Sequence, residues 1–142
     1  MTYSNPRAPS ADVAAPHWVH AEIRIGERDT RYRRAGTGRT LVALSRHPDL
    51  PFLRHCDALA REARVIAPVM PDATPAECAT WLAGLLDGFD IDATTLVADE
   101  TAALVALALA RAWPGRVLAV RLLFPPAMAG CILVDEYAAD GT

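Results

Sequence analysis

Between residues 40 and 124 the apolar positions switch repeatedly between two rhythms. "TLVALS" (40–45), "RVIAPVM" (64–70), "ATTLVAD" (93–99) and "RVLAVRLLF" (116–124) are short, nearly unbroken apolar runs. Runs of that kind suit strands covered on both faces. The segments between them follow helical spacing. "LPFLRHCDALAREA" (50–63) sets Phe52, Leu53, Cys56, Leu59 and Ala60 along one stripe, which predicts an amphipathic helix. Thr74 and Pro75, with Glu77 three residues after the threonine, predict an N-cap, a first-turn proline and a capping box. That helix should run through Trp81, Leu82, Leu85 and Leu86 and stop near Gly88. "ETAALVALALARAW" (100–113) predicts a third helix, closed by Pro114 and Gly115. The alternation predicts an α/β fold: three layers, with a mostly parallel sheet between helices on both faces.

Ahead of this region, "HAEIRIGE" (20–27) and "DTRYRRAG" (29–36) alternate in character across a tight break. They predict an antiparallel strand pair near a sheet edge, left through Gly36-Thr37-Gly38. Arg28, Arg31, Arg33 and Arg34 fall here and read as a solvated edge that discourages strand addition, rather than as a nucleic-acid patch. Residues 1–17 are rich in Pro, Ser and Ala without periodicity and predict a flexible tail. Residues 18–142 then form a single domain, with one more short strand at Cys131 to Val134.

Composition narrows the function classes. The 142 residues are 52% hydrophobic with a formal net charge of −3, enough for a real core and no lure for nucleic acid or an anionic membrane. All fourteen basic residues are arginine, which points to a GC-rich bacterial genome. Cys56, Cys78 and Cys131 lack any metal-like spacing and suit reduced thiols in the cytoplasm. The N-terminus has no apolar signal region, and "AALVALALA" is about half of the roughly 20 residues a membrane span needs. His17 and His20 bracket Trp18 without forming a metal pattern. Neither a metal nor a cofactor is expected.

Attention falls on "TLVADETAALVALALARAWPGRV" (95–117), where an apolar strand meets a polar corner and an apolar helix leaves it. The order from residue 20 to 124 resembles the N-terminal half of an α/β-hydrolase. "TLVALSRHP" stands where that family has a strand ending in a His-Gly turn, and "LRHCDALAREARVIAPVMPD" resembles its following helix and strand. "TLVADETAALVALALA" resembles its nucleophile elbow, the G-x-S-x-G turn that presents the attacking serine.

The resemblance places Glu100 at the nucleophile position, with Ala98 and Ala102 in place of the flanking glycines. Some relatives use aspartate at this corner, but glutamate would misplace the attacking oxygen. Ser45-Arg46 replaces His-Gly on the oxyanion side. All four histidines precede Glu100, whereas the family's acid and histidine follow the nucleophile. A catalytically degenerate protein is therefore expected, acting as a dimeric scaffold or a small-molecule binder.

Two alternatives stay open. One is a non-hydrolytic isomerase, cyclase or lyase with Glu100, and perhaps Asp99, as general acid or base. The other is a hydrolase half completed by a partner chain. Ser45, Arg46, His47 and Thr101 are the candidate ligand-binding residues, because ligands of open parallel sheets bind at the C-terminal strand ends. A salt bridge from Arg46 to Glu100 or Asp99 is the structural expectation at the same place, and an N-terminal helix charge is the one for Glu100. The helix after the corner is apolar nearly all round, and "RVLAVRLLF" should be a sheet edge. Together they predict a homodimer through that edge or the tail "GCILVDEY".

Overall fold

The computed structural model describes residues 16–123 and 133–134. Its strands are β1 (Val19–Ile25), β2 (Arg28–Ala35), β3 (Thr40–Leu44), β4 (Arg64–Pro68), β5 (Thr94–Asp99), β6 (Val117–Leu123) and β7 (Leu133–Val134). The helices are α1 (Leu50–Ala60), α2 (Pro75–Gly88) and α3 (Ala103–Ala112). One sheet holds all seven strands in the order β1-β2-β4-β3-β5-β6-β7. The four strands β4, β3, β5 and β6 run parallel. β1 and β2 form the antiparallel entry pair, β2 joins β4 antiparallel, and β7 returns antiparallel on β6. The α/β architecture expected from the alternation is the one observed.

Local chemistry sets the helix ends. Asp49 Oδ1 accepts from the Phe52 amide at 3.0 Å and starts α1. α1 stops at Ala60, the last residue of the stripe and three short of the end of the segment 50–63, because the chain must turn beneath the exit of β2. Gly36 sits there with φ +87°, and a Cβ on it would lie 2.0 Å from the Ala63 carbonyl oxygen. Backbone meets backbone at this point, and only glycine allows both the approach and the dihedral. For α2 the expected capping box is present. The Thr74 hydroxyl accepts from Glu77 N at 3.2 Å, and Glu77 Oε1 accepts from Thr74 N at 3.0 Å. The helix closes beyond Gly88, with Ile91 N donating to Leu86 O at 2.8 Å. The left-handed residue in that closure is Asp90, φ 57°, a position glycine usually fills.

The two faces of the sheet are covered unequally. On one, α2 and α3 pack together, and Val42, Leu44, Leu82, Leu85, Leu86, Leu96, Val105 and Leu109 are all buried between helices and strands. The Trp81 indole reaches through to Thr30 Oγ1 at 2.9 Å, so it is a packing residue with its N–H satisfied. On the other face α1 stands alone. It covers Ala35, Ala43, Val65, Ala67 and Val97 with Phe52, Cys56 and Ala60.

Three sequence expectations need correcting. The arginine strand β2 lies inside the sheet between β1 and β4; Arg28, Arg31 and Arg34 are exposed but Arg33 is half-buried. β6 is not a wholly bare edge, since β7 pairs with it at Leu122 and Leu123. Helix α3 begins at Ala103 rather than at Glu100, for reasons given below. Its outer side leaves Leu104 68% exposed, while Leu118 on β6 is 64% exposed. Trp113, just past the end of α3, is exposed. No helix of the described residues is long and apolar enough to cross a membrane. The predicted tail at 1–17 falls, but for its last two residues, outside the described residues, as does Cys131.

Candidate functional site

At the C-terminal ends of β3 and β5 the sheet presents Ser45 and Asp99 side by side. Alternation along each strand puts both on the α1 face, in line with Ala43 and Val97. Ser45 Oγ donates to Asp99 Oδ2 at 2.5 Å. Thr101 Oγ1 donates to the other carboxylate oxygen, Oδ1, at 2.5 Å, and Thr101 N donates to the same oxygen at 3.0 Å. The Ala102 amide closes on the Asp99 carbonyl at 3.1 Å. These bonds hold residues 99–102 in a turn and delay the helix to Ala103, because an aspartate that binds the amide two residues on offers the backbone an alternative to helix.

The neighbouring turn after β3 is drawn into the same network. Arg46 N donates to Thr101 Oγ1 at 2.8 Å, and His47 N donates to Ser45 Oγ at 3.2 Å. Charge-assisted bonds to the carboxylate are the strong members of the set. Of the expected ligand-binding residues, Ser45 and Thr101 are thus brought together with Asp99, and Arg46 and His47 join through their backbones.

The side chains of the other site candidates point elsewhere. The Arg46 guanidinium does not pair with Asp99 or Glu100. It donates to the Ala73 carbonyl at 2.9 Å and the Pro71 carbonyl at 3.5 Å, carbonyls of the loop ahead of α2 that also accept from the Cys78 thiol. His47 is exposed. Glu100 is exposed too, two positions before the N-cap Ala102, and the amide of this corner goes to Asp99. The helix-terminal role expected of Glu100 is not observed: α3 has no side-chain cap, and the Thr101 amide in the turn ahead of it is taken by Asp99.

Beside the Ser45 turn, on the α1 face, lies a cavity of about 670 Å³ between β1, β2, β4, β3 and the start of α1. Ala43, Phe52, Ala67, Val69 and Met70 give it an apolar wall, and Ser45 and Arg46 stand at one end. Asp99, Glu100, Thr101 and His47 do not line it. Arg33 does, and sequence reasoning missed it. Its guanidinium lies 4.2 Å over the Trp18 ring, a cation–π contact. The Trp18 indole is itself fixed by donating to Asp57 Oδ1 of α1 at 2.8 Å. The available signal was register: Arg33 shares its strand face with Ala35, which is buried.

Other titratable groups nearby are structural. Burial pushes the Cys56 thiol up to about 12, against the opposing pull of Arg33, so it is not an activated nucleophile. Cys78 is buried. Burial and the Arg121 charge lower the pKa of His55 on α1.

Neither a family model nor a curated protein matches the sequence. Solved structures do match in three dimensions. The epoxide hydrolase CorEH superposes with a TM-score of 0.67 at 23% identity, over 78% of this chain and 44% of its own. Cfl2 from Burkholderia cenocepacia gives 0.65 at 26% identity, over 75% and 41%. The epoxide hydrolase VrEH1 from Vigna radiata gives 0.66 at 21% identity, over 75% and 39%. The chain carries the N-terminal half of an α/β-hydrolase fold. It spans less than half the length of these structures.

Within an α/β-hydrolase fold the corner after β5 is the elbow, and its geometry departs from that role. The family's nucleophile sits on a strained turn. Among the described residues the one non-glycine with positive φ is Asp90, so Glu100 sits on a relaxed turn. Ala98 and Ala102 are fully buried and fit where the strained turn would demand glycine. An oxyanion hole in this fold is made by the amide after the nucleophile and an amide from the loop after β3. Here the first is Thr101 N and the second belongs to Arg46 or His47, and all three already donate within the protein.

Proposed function

We propose that this chain is a catalytically degenerate α/β-hydrolase-like domain that binds a small molecule and works as a homodimeric scaffold in the cytoplasm. One observation carries the first part: the amides that would form the oxyanion hole are consumed by Asp99, Thr101 and Ser45. Donors aimed at developing charge must be free when the charge appears. Ser45 is no substitute nucleophile, because a serine needs a base such as imidazole to take its proton. Its hydroxyl instead rests on a carboxylate.

The binding part is supported by the cavity, whose size and apolar wall suit a small ligand. The dimer is supported by β6, whose outer edge is paired only at Leu122 and Leu123 among the described residues. Leu118 and Leu104 add exposed apolar surface near it. Hydrolysis of short p-nitrophenyl esters decides the first part. No rate above buffer is expected, and Glu100→Gln should leave both that null result and the melting temperature unchanged. An esterase rate lost in Glu100→Gln would instead establish Glu100 as a working group. Light scattering across a dilution series tests the dimer, and a monomer at all concentrations would remove it.

A further inference from the structure

Helix α3 is buried along one side and bare along the other. Val105, Ala106, Leu109 and Ala110 lie in the core. On the far side, at the three- and four-residue spacing that shares a helix face, stand Leu104, Leu107 and Arg111, with Glu100 in the turn ahead of them. Leu104 and Arg111 are exposed, Leu107 is half-buried, and Ala103 and Ala108 flank the leucines with little bulk. Glu100 is exposed as well, and neither it nor Arg111 makes an ion pair among the described residues. The bare side therefore runs acid, leucine, leucine, base from one end of the helix to the other.

Such a stripe is complementary to itself. Turned end for end, it sets its acid against a base and its leucines against leucines, as an isologous two-fold contact requires. A foreign partner calls for no such symmetry, whereas a second copy of the chain supplies it without any further feature. We propose that two copies of this chain pair through α3, antiparallel about a two-fold axis, with Glu100 of each facing Arg111 of the partner subunit. The inference rests on the homodimer reading above and names its seam, a helix face in place of the β6 edge. Helices pack about 8–10 Å apart, axis to axis, a gap that a glutamate and an arginine side chain span together. Burial of the leucines supplies the affinity, since exposed ion pairs add little. The charges set the direction. Parallel helices would bring acid against acid and base against base, whereas antiparallel ones join opposite charges and opposite dipole ends.

The test is sedimentation velocity on the full chain and on Glu100→Arg, Arg111→Glu and Leu104→Asp, at a concentration where the parent is dimeric. All three positions are exposed in the single chain, and circular dichroism should show the parent's fold in every variant. Each charge reversal sets like charges together at both ends of the seam and should weaken association about tenfold or more. Leu104→Asp, which puts a charge at its apolar middle, should do the same. Mixed in equal amounts, the Glu100→Arg and Arg111→Glu chains should recover the dimer, because each mixed pair meets opposite charges at both ends. A parent that sediments as a monomer at every concentration would overturn the homodimer and this seam together. A dimeric parent whose variants all stay dimeric would overturn the seam and leave the homodimer standing. Weakened single variants that do not recover on mixing would overturn the antiparallel pairing.

Discussion

The two faces of this sheet are made by the same strands, yet they behave as different materials. Toward α2 and α3 the strands turn Val42, Leu44, Leu96 and Val120, and two helices close over them. Toward α1 they turn Ala35, Ala43 and Ala67 beside Val65, Val97 and Leu123, with the alanines Ala43 and Ala67 at the cavity, and one helix of eleven residues does the covering. Large side chains under two helices reach close packing, and small ones under one helix leave a cavity. The difference lies in side-chain volume at alternate positions, which a list of apolar residues does not reveal. One face is filled, and the other keeps a cavity.

Substitutions can break this contrast or sharpen it. The largest effect is expected from Gly36→Ala, where α1 meets the turn after β2. Left-handed strain and overpacking cost about 1–3 kcal/mol each, so a loss of about 4 kcal/mol should appear in chemical denaturation. On the closed face, Leu96→Ala should cost about 3 kcal/mol, the transfer and cavity terms together. Its counterpart on the open face, Ala67→Val, should stay within about 0.5 kcal/mol of the parent, because the added methyls enter existing space. A large cost at Ala67 would mean that the cavity is not there to absorb them.

Smaller effects test how far the closed face depends on the ends of α2. Thr74→Ala removes the N-cap hydroxyl and should cost about 1 kcal/mol. Asp90→Gly relieves the left-handed residue at the other end and should stabilise by about 0.5–1 kcal/mol. The least is expected from pH. Hydrogen bonds from Thr74, first its backbone and then its side chain, hold the Glu77 carboxyl below the usual carboxylate range. A depressed acid stabilises above its unfolded pKa of about 4.3, and that contribution fades as pH falls through the lower folded value. Thermal melts of Glu77→Gln should therefore lose slightly less stability than the parent below pH of about 4.

Most of the architecture was legible because each element announced itself locally. Unbroken apolar runs marked the inner strands, and Thr74, Pro75 and Glu77 spelled out a helix start. The corner was harder. "ADETAA" reads as a helix start by propensity, and only the tertiary approach of Ser45 shows Asp99 fixing a turn there. Arg46 went astray for a similar reason: its partners are backbone carbonyls of a loop twenty-five residues on, which no charge pattern encodes. Arg33 was hidden by assigning a whole strand to the solvent when only one of its faces belongs there. Pairing β2 with β1 and β4 was the missing information, and strand order is not written in any one strand.

The knot of bonds on Asp99 has a consequence for anyone wishing to install chemistry in this scaffold. Writing serine at position 100 and glycine at 98 and 102 would supply an attacking atom, but the donors needed to cradle a tetrahedral adduct would remain tied down. Redesign would have to begin by removing Asp99 to free Thr101 N, and the Thr101 and Ser45 hydroxyls to free the amides of the loop after β3, before any change of nucleophile could matter. The order of the edits, more than their number, would govern success.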